Sequence, residues 1–139
     1  MNRLQYILSA KNQYNIQSPF VFDLYENVLS PKLGRTVLAQ MGIPRADHFA
    51  QLRYKLADHY RATECTSTAT LRGTDALLQC HDGSLIGLVR RPHASRNSEQ
   101  QWEQLFKEPE VTLSVDLFDA GLLFTSKHLA KQHLLFREF

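Results

Sequence analysis

The chain predicts a mixed α/β (α+β) fold, with helices at its start packed on a small mixed sheet at its end, and three observations carry that reading. Its 139 residues, 43% hydrophobic and 22% charged, suit one ordinary core and fall short of two. Helical spacing of apolar residues dominates up to Tyr60, whereas bounded apolar runs and period-two alternation dominate from Leu85 onward. No internal repeat or low-complexity segment breaks either half.

Elements follow in order. Leu4, Ile7, Leu8 and Lys11 give a short amphipathic helix from Asn2 to about Lys11. After a polar turn, Ser18 caps a helix whose first position is Pro19, a residue suited to it because its missing donor would be unpaired there anyway. Val21, Leu24, Tyr25 and Val28 form its stripe, Ser30-Pro31 stops it, and the flanking Phe20 and Phe22 suggest a helix gripped on more than one side. Val37, Leu38 and Met41 form an apolar patch in Lys32 to Ile43. Phe49, Leu52, Leu56 and Tyr60 then line one face of a helix from Asp47 to about Tyr60, with Arg53, Lys55, Asp58 and Arg61 opposite.

Residues 62 to 75 read as an irregular connection with a short strand near Thr63 to Thr66, and Ala76 to Cys80 as one helical turn. Asp82-Gly83 is a turn signal, and Leu85 to Val89 a strand buried on both faces. Pro92 ends it, and Asn97 with Gln100 forms a capping box for a helix to about Lys107 whose inward face is Trp102, Leu105 and Phe106. Val111, Leu113 and Val115 alternate with Thr112, Ser114 and Asp116 as a half-buried strand, Gly121 to Phe124 returns the chain, and Gln132 to Phe136 adds a further strand. The expected organisation is one domain, 1–139: a helical extension (1–61), a connection (62–83) and a strand-helix-hairpin unit (84–139).

Charge and cysteine usage remove several function classes. Sixteen basic and fourteen acidic residues are interspersed, for a net charge of +2, which supplies no field for nucleic acid or an anionic membrane. No apolar run approaches the roughly 20 residues of a bilayer span, and the opening MNRLQYILSAKNQYN turns polar too early for a signal peptide. A cytoplasmic protein with no nucleic-acid or membrane partner is expected. Cys65 and Cys80 are read as free thiols, because small secreted domains more often carry several paired cysteines.

His93, beside Arg90, Arg91 and Ser95 and just past a strand end, is the leading site candidate, since ligands of open α/β sheets gather there. Two guanidinium groups there could grip a phosphate or carboxylate; the plainer reading is a solvated basic loop. No metal site is expected: Cys80-His81 is adjacent, and neither C-x-x-C nor H-x-x-x-H occurs. No catalytic residue is assigned, for no nucleophile motif occurs. Asp116 and Asp119 could pair as acid and base, although aspartates beside a hairpin turn more often bind backbone donors. Trp102, Phe118, Phe124 and Phe136 are read as packing residues.

Ser18-Pro19-Phe20-Val21-Phe22-Asp23-Leu24-Tyr25, with Gln17 where histidine is expected, resembles the N-terminal helical extension of a bacterial class I S-adenosylmethionine-dependent methyltransferase family, and Gln51 to Leu56 resembles its third helix. Leu77 to Ser84 resembles the approach to the fifth strand of that Rossmann-like sheet, and Val111 to Phe124 its final antiparallel pair. Arg90-Arg91-Pro92-His93-Ala94-Ser95 stands where such proteins tend to carry Asp-Asp-Ile-His-x-Ser, so His93 and Ser95 match while two acids, and any metal they held, are replaced by arginines.

The resemblance implies a glycine-rich cofactor turn between the two blocks. Only about two dozen residues lie there, whereas one βαβ unit takes about 30, and Thr68 to Thr74 holds Gly73 alone. The expectation is a truncated methyltransferase-like protein, without cofactor, catalytically inactive and serving as an interaction or assembly module, possible partners including a full-length relative. The alternative is an S-adenosylmethionine-dependent methyltransferase, or a small-ligand or anion-binding protein with a residual pocket near Arg90 and His93. Loss of the neighbouring strand would leave Leu85–Val89 an open apolar edge. Either the helices of residues 1 to 60 fold over it, or two copies pair there; a homodimer is the favoured outcome.

Overall fold

The computed structural model describes residues 19–29, 48–65 and 71–136. The expected helix at Asn2 to Lys11, the Ser18 cap, the Ser30-Pro31 stop and the patch in Lys32 to Ile43 lie outside them. Helix α1 (Pro19–Leu24) starts at its proline and passes into a π-helical turn, Tyr25–Leu29. The i+5 step of that turn brings Leu29 under Leu24, so that Val21, Leu24, Val28 and Leu29 are all buried. Phe20 stacks on Tyr60 at 5.6 Å and meets Phe124 edge-on at 5.5 Å. Phe22, expected to be gripped too, is instead 46% exposed, because one face of the helix already holds its whole apolar stripe.

Helix α2 (His48–Tyr60) buries Leu52 and Leu56 as its spacing predicts, and Arg53 on the outer face pairs with Glu64 at 3.2 Å. Six strands follow: β1 (Thr63–Glu64), β2 (Ala76–Gln79), β3 (Leu85–Arg90), β4 (Leu113–Asp116), β5 (Ala120–Phe124) and β6 (Gln132–Leu135), with helix α3 (Arg96–Phe106) between β3 and β4. Their order in the sheet is β1-β2-β3-β5-β4-β6; only β4 and β6 are paired parallel. β5 is antiparallel to both neighbours, so β3 and β4 run the same way with α3 as their crossover.

Several expectations change. Ala76 to Gln79 is a strand rather than a helical turn. Gly83 takes a positive φ of 85° and Asp82 accepts the Ser84 amide at 2.9 Å, which turns β2 back onto β3 with Leu78 opposite Ile86. Leu85–Val89 therefore has no open edge: β2 pairs with one side and β5 with the other. A homodimer through that edge loses its physical basis. The helix cap is Ser95 rather than Asn97, because Ser95 is the residue in extended backbone and its hydroxyl accepts the Ser98 amide at 3.1 Å. β4 is buried on both faces, not one, with Ser114 and Asp116 as covered as Leu113 and Val115.

Helices on both sides explain that burial. On one face α1 and α2 cover Leu78, Ile86, Leu88, Val115, Leu122 and Phe124; on the other, Trp102 and Leu105 of α3 cover Val89, Leu123 and Val111. This is the mixed α/β fold that the sequence predicts, and removing such side chains from water is its main source of stability, about 1.5–3 kcal/mol for each large apolar residue. Cys65 and Cys80 are not joined by a disulfide. No helix among the described residues is long and apolar enough to cross a membrane.

Candidate functional site

β3 and β4 run in the same direction on either side of β5, and the loops that leave them meet. The Arg91 amide donates to the Asp119 carbonyl at 3.0 Å, and the Ala94 amide to the Arg91 carbonyl at 3.0 Å. This tight path holds two non-glycine residues in the left-handed region, Arg91 at φ 44° and Phe118 at φ 70°. Such conformations are strained and persist only where surrounding contacts enforce them.

On the Phe118 side, His93 supplies such a contact. Its imidazole, 6% exposed, is inserted between two carboxylates: Nδ1 lies 2.7 Å from Oε2 of Glu99, and Nε2 lies 2.5 Å from Oδ2 of Asp116. Its ring stacks on Phe118, centroids 5.4 Å apart. The other Asp116 oxygen accepts the Phe118 amide at 2.9 Å, so one carboxylate binds the histidine and shapes the turn whose aromatic ring covers it. Burial alone would push the imidazolium down, but hydrogen bonds and charge from Asp116 and Glu99 outweigh it and hold His93 above the ordinary histidine range.

The four residues singled out in the sequence do not converge. Arg90 follows Ile86 and Leu88 on the face of α1 and α2, where its guanidinium carbon sits 4.0 Å from the centre of the Phe49 ring. Its amide donates to Asp75 at 2.7 Å. His93 is buried on the opposite face against β4 and α3, Ser95 caps α3, and Arg91 is exposed. Carboxylates of Glu99 and Asp116 flank the buried His93 ring, which disfavours a further anion there. The two nitrogens of His93 face different acids in divergent directions, so one metal ion cannot be ligated by all three groups.

Of the pair considered as acid and base, Asp116 has the backbone-binding role, and Asp119 contributes its carbonyl to the Arg91 amide. Glu99 and Phe118 are partners of His93 that sequence reasoning missed; for Glu99 the available signal is an acid in the first turn of a helix just after a histidine loop. A second polar pair lies beside the first. Ser114 Oγ and His133 Nδ1 are 2.6 Å apart, and the His133 ring stacks on Phe106 at 4.0 Å between centroids. Ser114 is 1% exposed, too covered to serve as a nucleophile. No family model matches the chain, and neither a curated protein nor a solved structure matches it.

Proposed function

We propose that this chain is a non-catalytic interaction or assembly module of methyltransferase-like ancestry. The observation that carries the reading is the use made of His93. At the strand ends where an enzyme of this kind would present polar groups to a ligand, the histidine is withdrawn from solvent and spent on two internal carboxylates. The strand, helix and antiparallel pair that the resemblance implies correspond to β3, α3 and β4–β5, which supports the ancestry. The scarcity of chain between α2 and β2 supports the loss of the cofactor-binding part.

A residual ligand pocket at Arg90 and His93 is the less favoured reading, since those side chains occupy opposite faces of the sheet. Isothermal calorimetry with S-adenosylmethionine and S-adenosylhomocysteine tests the proposal. No heat beyond dilution is expected; saturable micromolar binding of either compound would refute it.

A further inference from the structure

We propose that Ser114 and His133 form an acid-sensitive clip on β6, the outermost strand beside β4: a neutral imidazole accepts the buried Ser114 proton and steadies β6, and the pairing loosens when the ring gains a proton of its own. The clip stands apart from the proposed function and does not depend on whether the chain binds a partner.

Strand register sets the two residues side by side. β4 and β6 are paired parallel with Ser114 opposite His133, and both side chains leave the sheet toward α3, so Oγ and Nδ1 come within 2.6 Å. Ser114 is 1% exposed, and water offers its hydroxyl no substitute partner. Among the described residues the hydroxyl meets one other acceptor, the Gln132 carbonyl at 3.5 Å, a length at which little of a hydrogen bond remains. The Ser114 proton is best placed on the line to Nδ1, which fixes the ring as the neutral Nε2–H tautomer.

Protonation reverses that bond. An imidazolium carries N–H at both positions, so Nδ1 must donate to the oxygen from which it accepted, and the Ser114 proton is left with the long path to Gln132. A buried hydroxyl without a good acceptor is destabilising. The surroundings push the same way. Burial favours the neutral ring, Asp116 pulls against it, and the charge on His93 adds to the burial, which together hold His133 below the ordinary histidine range. Those two are the charged groups that face it, Asp116 from β4 and His93 from the loop after β3; α3 contributes the uncharged rings of Phe106, stacked at 4.0 Å between centroids, and Trp102, tilted at 6.1 Å. His133 as a residue remains exposed, so the ring exchanges protons with solvent while the chain stays folded. The Gln132 and Phe136 amides still donate to the Thr112 and Asp116 carbonyls, so acid loosens β6 rather than detaching it. Because the folded value is the lower one, the cost appears as pH falls below the unfolded value of about 6.5.

Nitrogen-edited NMR of the histidine rings in the intact chain reads tautomer and charge directly. At about pH 7, above the ordinary histidine value of about 6.5, His133 is expected as the Nε2–H tautomer. As pH falls through the His133 midpoint, exchange protection of the Gln132, Leu134 and Phe136 amides is expected to drop about threefold or more. Ser114→Ala removes the hydroxyl while keeping a small side chain in the buried position; it is expected to raise the midpoint toward the ordinary value and to shrink that drop. His133→Gln, the second variant, leaves no group to titrate there, and its β6 protection is expected to stay level over the same interval. An Nδ1–H tautomer at about pH 7, a midpoint that Ser114→Ala leaves in place, or an acid drop in β6 that persists in His133→Gln would each overturn the clip.

Discussion

Trp102 lies where a side chain at Gly121 would otherwise stand. A Cβ built on Gly121 would come within 2.6 Å of the indole Cη2 and Cζ3 atoms, closer than carbon atoms tolerate. α3 thus rests on the sheet at a depth that only glycine allows, and the Trp102 ring is 2% exposed in consequence.

Gly121→Ala must displace that ring. The expected cost is about 1–3 kcal/mol, as for other overpacked cores, read as a lower urea midpoint with an unchanged slope. A neutral effect would mean that α3 is not seated at this depth.

Asp116→Ala removes the acid that His93 shares with the Phe118 amide. Breaking a buried ion pair costs about 3–5 kcal/mol, and the remaining Glu99 places this case near about 3 kcal/mol. Asp116→Asn retains an acceptor for the Phe118 amide and is expected to lose less. The difference between the two variants in chemical denaturation measures the turn separately from the charge.

Stability should depend on pH with a definite sign. The folded His93 is raised above its unfolded value, so its contribution is complete below about pH 6.5 and is lost as pH climbs through the higher folded value. Urea midpoints measured as pH rises through that value are expected to decline. A flat profile there would contradict the pairing of His93 with Glu99 and Asp116.

Asp23 works on the acid side. Burial tends to raise it, but hydrogen bonds from His59 at 2.7 Å and Asn27 at 2.7 Å, with the His59 charge, leave it lowered. That contribution is present above the ordinary carboxyl range and is lost as pH falls through the lowered value. The Asp23 side chain is 44% exposed, so a double-mutant cycle of Asp23→Asn and His59→Gln is expected to give a coupling below about 1 kcal/mol. A larger coupling would show that the α1–α2 contact depends on this pair.

Arg90→Ala removes a cation from the Phe49 ring at 4.0 Å, with an expected loss of about 0.5–1 kcal/mol that Phe49→Leu should make redundant. Additive losses would place Arg90 elsewhere.

Local signals in the chain account for much of the fold. The stripe Leu52, Leu56 and the run Ile86 to Val89 read correctly because each pattern reflects the face that the element buries. Ala76 to Gln79 differs because ALLQ favours a helix by propensity, while the pairing that makes it a strand comes from partners 14 to 16 residues back in β1 and 6 to 12 residues ahead in β3, which propensity does not register. Ser114 and Asp116 read as solvent-facing because alternation cannot report that a second helix will lie over the polar face. His93 was found for its position, but its role required Glu99 and Asp116, brought to it by a helix crossover and by strand order.

The placement of β5 bears on how the molecule is made. β3 and β4 share no ladder; each is bonded to β5, the strand between them. During synthesis, β1 to β3 and then β4 emerge as two pieces without a common backbone bond, and they become one sheet only when Ala120 to Phe124 slides between them. Until then the apolar flanks of both pieces are bare, so ribosome-bound intermediates lacking this stretch should be the ones that chaperones capture and proteases cut.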